Sequence, residues 1–280
     1  MLRFKSGKDY KNYILANPDY MKNLQEYYKS DIIIANSIKG DDGKWYHPYI
    51  PGYETIPVLM KSTSVWGEIG PYCLKTDEGY IFENYWQFSK VYRETPNVII
   101  NQYGTVTWKY KKTNFMELND EKEEVVNEEY WKWREKGYNA KYAIRYPLYR
   151  KGASSCVYAI PNFDKTKKYG YVEGRREIYF KKYIEYVKKH PRFWKLKKML
   201  DSGKKLILTE IDGMKPKNAD YLKEKYFDLV LEPLEYGTIN ATKKNFHIMV
   251  NETNMAVGHV YALTCALKSW NVDNIFDLKD

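Results

Sequence analysis

A carboxylate, an amide and an ammonium group stand at helical spacing in the aromatic segment of residues 79–93. Glu83, Gln87 and Lys90 occupy positions i, i+4 and i+7, so they share one face if the segment is a helix. Aromatic residues crowd the rest of the segment, which is typical of a buried helix. Because buried polar groups need partners, these three side chains either pair with one another or line a pocket.

Hydrolysis at a sugar carbon is the chemistry that such a set can perform. Breaking an N-glycosidic bond develops positive charge on the ribose ring carbon, and a carboxylate such as Glu83 can stabilise that charge or activate the attacking water. Gln87 and Lys90 can hold phosphate or ribose hydroxyl groups, and Tyr85 or Trp86 can stack on a base or a ring. The alternative is a buried helix whose polar side chains pair only internally.

The segment resembles the signature helix of the NADAR (YbiA-like) N-glycosidases, in which the pattern Glu-His-Tyr-x-Gln-x-x-Lys follows a turn containing glycine. Glu83, Tyr85, Gln87 and Lys90 match that pattern, and Asn84 stands where the family has histidine. The resemblance implies that Glu83 is the principal catalytic acid and that the matching residues after it bind substrate.

Shorter similarities to the same family occur on both sides of this segment. Residues 77–79, 190–196 and 206–210 are similar to the family's Asp-Gly turn, its His-Pro-x-Leu stretch and its strand ending in glutamate. Residues 254–258 resemble the Asn-x-x-Gly sequence that opens its last helix, but the family's Trp-Gly pair near this helix is absent. Residues about 95–170 have no counterpart. The resemblance therefore implies a diverged member with a long insertion. Such a protein acts on a ribosylated nucleotide, an ADP-ribose adduct or a nucleobase derivative and needs no cofactor.

A glycine-rich loop, residues 66–71, is a second group of candidate site residues. Glu68 lies between Gly67 and Gly70, and glycine lets a backbone approach a ligand closely. The loop is similar in position to the family's substrate-binding loop. We therefore expect Glu68 to be a second catalytic acid, with Trp66 and Gly67 in contact with substrate. A structural turn with a solvated glutamate is the alternative.

The start of the last predicted helix is a third candidate group. Free backbone N–H groups at a helix N-terminus bind phosphate, Gly258 permits close contact, and His259 can donate a hydrogen bond to a ligand. Asn254, close by in the sequence, is also expected to bind substrate. Alternatively, His259 and Asn254 only cap or pack the helix. Glu210 and Asp212, at the end of a predicted strand, are further candidate acids, although acids in surface loops are common.

The excess of basic residues points to a different class of function. The formal net charge of +10 and the pI near 9.1 favour polyanionic partners, either phosphorylated or nucleotide-like small molecules or nucleic acid. Basic and aromatic residues interleave from Arg175 to Lys198, which suits contact with a nucleic-acid backbone and stacking on bases. The alternative function is therefore a basic protein that binds DNA or RNA on the same fold without catalysis. A solvated lysine face is the plain structural explanation.

Other classes of function lack their motifs. Cys73, Cys156 and Cys265 stand far apart and match neither a zinc site nor a disulfide framework, so we expect reduced thiols and no metal. No Walker loop, GxGxxG, HExxH or GxSxG pattern is present. The N-terminus has no signal-peptide hydrophobic core, and no apolar run approaches membrane-spanning length. These features predict an intracellular protein (cytoplasmic, nuclear or viral) with no membrane partner.

The elements that must position these side chains are of both types. Their predicted order favours an α+β fold, with a small sheet surrounded by helices. We expect one domain over residues 1–280, with an insertion at about 95–170. Strands are predicted at residues 32–35, 56–60 and 206–211, and a hairpin at 98–108. Helices are predicted at residues 79–93, 117–136, about 173–189, 193–200 and 258–270.

Overall fold

The computed structural model describes residues 16, 17, 19, 22, 26–39, 43–59, 65–100, 106–144, 155–212, 219–226, 238–254 and 257–278. Of residues 38, 96–100, 106–111, 219, 220 and 223 it describes the backbone alone. The strands are β1 (Ile32–Asn36), β2 (Ile38–Lys39), β3 (Trp45–Tyr46), β4 (Tyr53–Pro57), β5 (Lys90–Val91), β6 (Glu94–Ile100), β7 (Val106–Asn114), β8 (Met116–Leu118), β9 (Glu124–Val126), β10 (Tyr158–Ala159), β11 (Lys205–Glu210) and β12 (Ile239–Asn240). The helices are α1 (Phe82–Gln87), α2 (Glu128–Tyr138), α3 (Tyr171–Gly174), α4 (Lys181–Val187), α5 (Pro191–Asp201), α6 (Ala219–Lys225), α7 (Lys243–Asn251), α8 (His259–Leu267) and α9 (Val272–Asp277). A 3-10 turn covers Gly67–Ile69, and a π-helical turn covers Arg175–Phe180 between α3 and α4. The α+β class is confirmed.

The chain divides into two compact units. The sheet unit comprises Met1–Gly70 and Val187–Asp280, and the aromatic unit comprises Pro71–Tyr186. The aromatic unit therefore contains the whole segment that the sequence predicts as an insertion, and it extends beyond that segment at both ends. The prediction of a single domain stays a prediction.

The sheet unit is built on a mixed sheet with the strand order β12-β1-β11-β4. β1 is parallel to β11 and β11 is parallel to β4, whereas β12 is antiparallel to β1. The two central strands are nearly continuous apolar runs with buried side chains, which is typical of parallel strands. The predicted strands at 32–35 and 206–211 are confirmed. The strand predicted at 56–60 is displaced toward the N-terminus, because β4 ends at Pro57.

Helix α8 packs on the two central strands of this sheet. All nine of its residues are buried, as expected for a helix that lies wholly inside a protein. The predicted helix at 258–270 is thus confirmed with shorter bounds. Its first residue, His259, contacts Glu210 at the end of β11, so the start of α8 is fixed at that end of the strand.

The carboxylate of Glu252 joins the end of α7 to α6. Lys225 donates to its Oε2 over 2.8 Å, and the hydroxyls of Tyr221 and Tyr226 each donate over 3.2 Å. Burial alone would raise the pKa of Glu252, but Lys225, the backbone N–H of Asn254 and Tyr226 outweigh it and lower the pKa. The ionised carboxylate is therefore the form that this site stabilises.

We expect the substitution Glu252→Gln to lower stability at pH 7 and to flatten the acid dependence of stability. A carboxyl group whose folded-state pKa is lowered stabilises the fold above its unfolded value of 4.5 and loses this contribution as the pH falls through the folded-state pKa. Hydrogen bonds to a charged group exceed neutral ones by about 1 kcal/mol. Urea denaturation between about pH 7 and about pH 3 measures both effects. Glu54→Gln is the control, because Glu54 pairs with Lys204 at the surface. Equal acid dependence in the wild-type protein and Glu252→Gln would contradict the expectation.

Rings surround helix α1 in the aromatic unit. Phe82 lies 5.4, 5.6 and 6.2 Å from the rings of Tyr179, Tyr183 and Tyr186, measured between centroids. All six residues of α1 are buried. Each aromatic pair stabilises the fold beyond its area burial by about 1 kcal/mol, so the position of α1 is strongly specified.

Two hairpins and a helix make up the segment that follows. β6 and β7 pair antiparallel, which confirms the predicted hairpin, although its turn at residues 102–104 lies outside the described residues. The helix predicted at 117–136 is wrong in its first half, where β8 and β9 form a second hairpin. Helix α2 begins only after Asn127, whose side chain accepts a hydrogen bond from the N–H of Tyr130. This cap, followed by two glutamates, is a stronger helix start than Glu117.

Within the described part of the chain, no helix combines the length and apolarity needed to cross a bilayer.

Candidate functional site

The helix that carries the candidate residues is shorter than the sequence predicts. The prediction of a helix over residues 79–93 is wrong at its end, because α1 stops at Gln87 and Lys90 begins strand β5. The hydroxyl of Ser89 closes the helix by donating to the carbonyl of Tyr85 over 2.7 Å. Lys90 therefore approaches the other polar side chains from a strand rather than from the next helical turn.

Glu83, Gln87 and Lys90 nevertheless form a continuous hydrogen-bonded chain. Nε2 of Gln87 donates to Oε1 of Glu83 over 2.9 Å, and Nζ of Lys90 donates to Oε1 of Gln87 over 2.5 Å. The exposed fraction falls from 7% at Glu83 to 3% at Gln87 and 2% at Lys90, so Glu83 is the most accessible member. The amide of Gln87 thus orients the carboxylate at the least buried end of the chain.

A strand pairing and a glycine bring two further polar residues to Lys90. Lys90 lies opposite Ala159 in the antiparallel pair of β5 and β10. A Cβ on Gly174 would lie 2.8 Å from the Cβ of Ala159, so α3 can approach β10 this closely only with glycine at this position. Tyr171 opens α3, and the guanidinium of Arg175 lies 4.9 Å from the centroid of its ring. The side chains of Tyr171 and Arg175 are thereby placed close enough to Lys90 to change its pKa.

We call the resulting set of side chains the buried polar cluster: Glu83, Gln87, Lys90, Cys156, Tyr171 and Arg175. Burial lowers the pKa of Lys90, and the neighbouring Tyr171, Cys156 and Glu83 oppose this only in part. Burial acts to raise the pKa of Tyr171, but Arg175 and Lys90 outweigh it and lower the pKa. Burial raises the pKa of Cys156 to about 11. Several shifted groups beside a π-helical turn are a combination typical of functional sites.

The aromatic candidates pack inside the protein. Nζ of Lys90 lies 4.9 Å from the ring centroid of Trp86, and the ring of Tyr179 lies 5.6 Å away on the same indole. The ring of Tyr85 stacks on Tyr138 at 5.7 Å. Both candidate rings are buried, and their stacking on a ligand stays a prediction.

Asn84, which stands where the NADAR pattern has histidine, has a structural role. Its Nδ2 donates to the carbonyl of Tyr142 over 2.9 Å, and its Oδ1 accepts from the N–H of Ile144 over 2.7 Å. Asn84 is fully buried. The side chain that replaces the expected histidine therefore binds the segment for which the family pattern has no counterpart.

We expect the substitution Lys90→Met to raise stability at pH 7 or leave it unchanged. Burial lowers the pKa of Lys90 in the folded protein below its usual value of 10.5. The unfolded chain therefore binds more protons between the two pKa values, and wild-type stability rises with pH through that interval. Replacing buried charged groups by apolar side chains is neutral or stabilises by about 1–4 kcal/mol. The advantage of Lys90→Met should thus be largest near pH 7 and shrink toward about pH 10.

Urea denaturation at these two pH values measures the effect. Lys181→Met is the matched control, because Lys181 pairs with Glu177 and is partly exposed. The expectation would be contradicted if Lys90→Met were less stable than the wild-type protein by more than about 1 kcal/mol, a typical cost of losing a buried hydrogen bond.

Residues 66–70 of the glycine-rich loop belong to the sheet unit, and the loop is tied to α5. Nε of Arg192 donates to Oε2 of Glu68 over 3.1 Å, and this hydrogen bond lowers the pKa of Glu68. Nζ of Lys195 lies 5.6 Å from the ring centroid of Trp66, and Gly67 is buried in the 3-10 turn. Glu68 is half exposed beside its arginine partner. The catalytic and substrate-binding roles of this loop stay predictions.

The start of α8 packs on a buried carboxylate. Nδ1 of His259 lies 3.3 Å from Oε2 of Glu210, and its Nε2 lies 2.6 Å from the carbonyl oxygen of Val58. A Cβ on Gly258 would lie 1.6 Å from Oε2 of Glu210. The space beside Gly258, which the sequence assigns to a ligand, therefore holds this carboxylate. Substrate contacts of Gly258 and His259 stay predictions.

Asn254 takes part in the Glu252 site. Its backbone N–H donates to Oε1 of Glu252 and its Nδ2 donates to the hydroxyl of Tyr221, each over 2.6 Å. Both observed contacts are therefore with protein groups, and a substrate contact stays a prediction. Of the two strand-end acids, Glu210 is buried and Asp212 is half-buried.

The structure thus brings together the candidates of the aromatic unit and places the others at three positions in the sheet unit. It adds Cys156, Tyr171 and Arg175 to the first group, none of which the sequence singles out as a site residue. Tyr171 and Arg175 stand at i and i+4 with Gly174 between them. This small residue beside two paired polar side chains is the sequence pattern from which their place in the site could have been predicted. Nothing in the sequence around Cys156 indicates its place. Within the described residues, no group of three His, Cys, Asp or Glu side chains is arranged to hold a metal ion.

Comparison with protein-family models, with curated proteins and with solved structures finds no match to this chain.

Proposed function

We propose that the buried polar cluster is the catalytic centre of an N-glycosidase-like hydrolase. The proposed substrate is a ribosylated nucleotide, an ADP-ribose adduct or a nucleobase derivative. The observation that carries the proposal is the chain from Lys90 through Gln87 to Glu83, which holds a carboxylate in fixed orientation at its least buried end. Stability does not explain such a chain, because apolar side chains of similar volume would stabilise a core at least as well.

The reaction that fits this chain is hydrolysis at C1′ of the ribose. Water attacks C1′, and the C1′–N bond breaks with its electron pair moving to the base nitrogen. Glu83 accepts a proton from the water and stabilises the positive charge that develops on the ribose. The departing nitrogen needs a proton, and Tyr171, whose pKa is lowered, is the side chain of the cluster best suited to donate it.

The charge of the cluster supports an anionic substrate. The cluster contains two basic side chains, Lys90 and Arg175, and one carboxylate, Glu83. Both basic side chains are buried, where electrostatic interactions are stronger than in water. The net charge of +10 for the whole chain acts in the same direction by drawing anions toward the protein. A phosphate-bearing nucleotide or an ADP-ribose adduct carries the negative charge that both features favour.

Release of free base tests the proposal. The full chain is incubated with nucleoside monophosphates, dinucleotides and ADP-ribosylated bases, and free base and reducing sugar are measured by chromatography. We expect equal amounts of both products from at least one substrate. The activity should be lost in Gln87→Leu, which breaks the chain, and kept in Glu173→Gln, an exposed glutamate of the same unit. Base release that survives Gln87→Leu, or no release from any substrate, would overturn the proposal.

A further inference from the structure

A tryptophan on α5 in the sheet unit is held in place and yet lies in solvent. Trp194 is 57% exposed. Its Nε1 donates to the carbonyl of Lys188 over 2.8 Å, and the ring of Phe193 meets it edge to face at a centroid distance of 5.1 Å. An exposed indole that is held by one edge has little conformational freedom left to lose on binding. It is therefore pre-organised to stack on a flat ligand.

Three lysines lie near this indole along the chain, and within the described residues none of them pairs with a carboxylate. Lys198 stands at i+4 from Trp194 and so shares its helix face, while Lys195 follows it directly and Lys188 supplies the carbonyl that binds it. All three lysines are exposed. Within the described part of the chain, the ammonium groups of Lys188 and Lys198 make no hydrogen bond or ion pair.

Other cations of the same helix are neutralised. Lys197 pairs with Asp201, and Arg192 pairs with Glu68. The uncompensated positive charge of α5 therefore lies at Lys198, on the helix face of the exposed indole, and at Lys195, whose ammonium lies 5.6 Å from the ring centroid of Trp66.

We propose that Trp194, Lys188, Lys195 and Lys198, which we call the indole face, bind single-stranded nucleic acid. Stacking on an aromatic side chain requires an unpaired base, and lysines beside the ring neutralise the phosphates that flank it. A duplex keeps its bases stacked inside and offers only its phosphates to such a surface. The proposal shares no residue with the buried polar cluster, so it is independent of the proposed hydrolase function.

Fluorescence anisotropy with fluorescein-labelled (dT)12 and (U)12 tests the proposal on the full chain. We expect binding whose logarithm falls with the logarithm of salt concentration at a slope of about −2, since about three phosphates are neutralised. Trp194→Ala should weaken binding by about 5- to 150-fold, which corresponds to about 1–3 kcal/mol for one stacked base. Trp194→Phe should restore much of the loss. Lys188→Gln together with Lys198→Gln should reduce the slope to about −0.7.

Phe163→Ala is the matched control. Phe163 is 52% exposed with Nζ of Lys182 at 5.3 Å from its ring centroid, so it is a similar surface pair outside the indole face. It should leave binding unchanged. A thermal melt followed by far-ultraviolet circular dichroism confirms that each variant is folded. Wild-type affinity in Trp194→Ala would overturn the proposal, as would equal affinity for the (dT)12 strand and its duplex with (dA)12. Tighter binding of either (dT)12 or (U)12 supports it and identifies the sugar that the surface prefers.

Discussion

Replacing Glu83 with glutamine should lower turnover of the N-glycoside substrate by about a thousandfold or more while the protein remains folded. Glutamine keeps the shape of the side chain and an oxygen that Nε2 of Gln87 can still bond. It loses the negative charge that stabilises the oxocarbenium-like transition state and the basicity that activates water. Each of these effects contributes about 10²- to 10⁴-fold in enzymes.

The measurement is the rate of base release at saturating substrate, set beside a thermal melt of the same preparation. Glu173→Gln removes an equal charge from an exposed position in the same unit and should keep wild-type turnover. Undiminished turnover in Glu83→Gln would remove Glu83 from the mechanism. A large loss of turnover at an unchanged melting temperature separates a chemical role from a structural one.

Replacing Gly258 with alanine should destabilise the sheet unit by about 3–5 kcal/mol. The new Cβ would lie 1.6 Å from Oε2 and 2.1 Å from Cδ of Glu210. The backbone of residue 258 has a φ of −88°, which alanine adopts freely, so the cost is steric. Glu210 and His259 are both buried, and displacing the carboxylate breaks the contact between them. Overpacking and the loss of a partner for a buried charge each cost about 1–5 kcal/mol.

A double-mutant cycle identifies the cause of this loss. Glu210→Ala removes the colliding carboxylate, so Gly258→Ala should cost little more in that background. Gly170→Ala is the control, because no atom lies within 4 Å of a Cβ built at that position. Urea denaturation gives the free energies of unfolding. A cost of less than about 1 kcal/mol for Gly258→Ala would show that Glu210 moves aside freely and that the space can admit a ligand.

The local sequence pattern is sufficient to predict those elements whose own residues determine their secondary structure. The apolar runs of β1 and β11 and the α8 segment are each continuous enough to be predicted, and the structure has them where expected. The polar segment 117–126 has no such pattern. Its hairpin depends on pairing between β8 and β9, and a helix with favourable charges is locally as plausible. The pairing of β8 with β9 therefore determines the structure of this segment.

The contacts of the candidate site also fall into two groups, those that local spacing predicts and those that depend on the tertiary structure. The spacing of Glu83 and Gln87 predicts their hydrogen bond, because both lie on α1. Lys90 joins them from a strand, so the helical spacing that places it on their face is not what brings it to Gln87. The contact of Glu210 with His259 joins residues far apart in the chain, and no spacing rule predicts it.

The π-helical turn at Arg175–Phe180 sets the rotational phase between the two ends of one long helix. A π turn holds one residue more than an α turn, so the segments before and after it differ in phase by about 100° from an uninterrupted helix. A Cβ on Gly174 would lie 3.8 Å from Trp86, and Tyr183 beyond the turn contacts Phe82, so both ends reach α1. With one residue deleted here, the segment would be a more regular helix, but either Gly174 or Tyr183 would rotate away from α1 and lose its contact. Such a chain could keep every polar side chain of the cluster and still fail to assemble it.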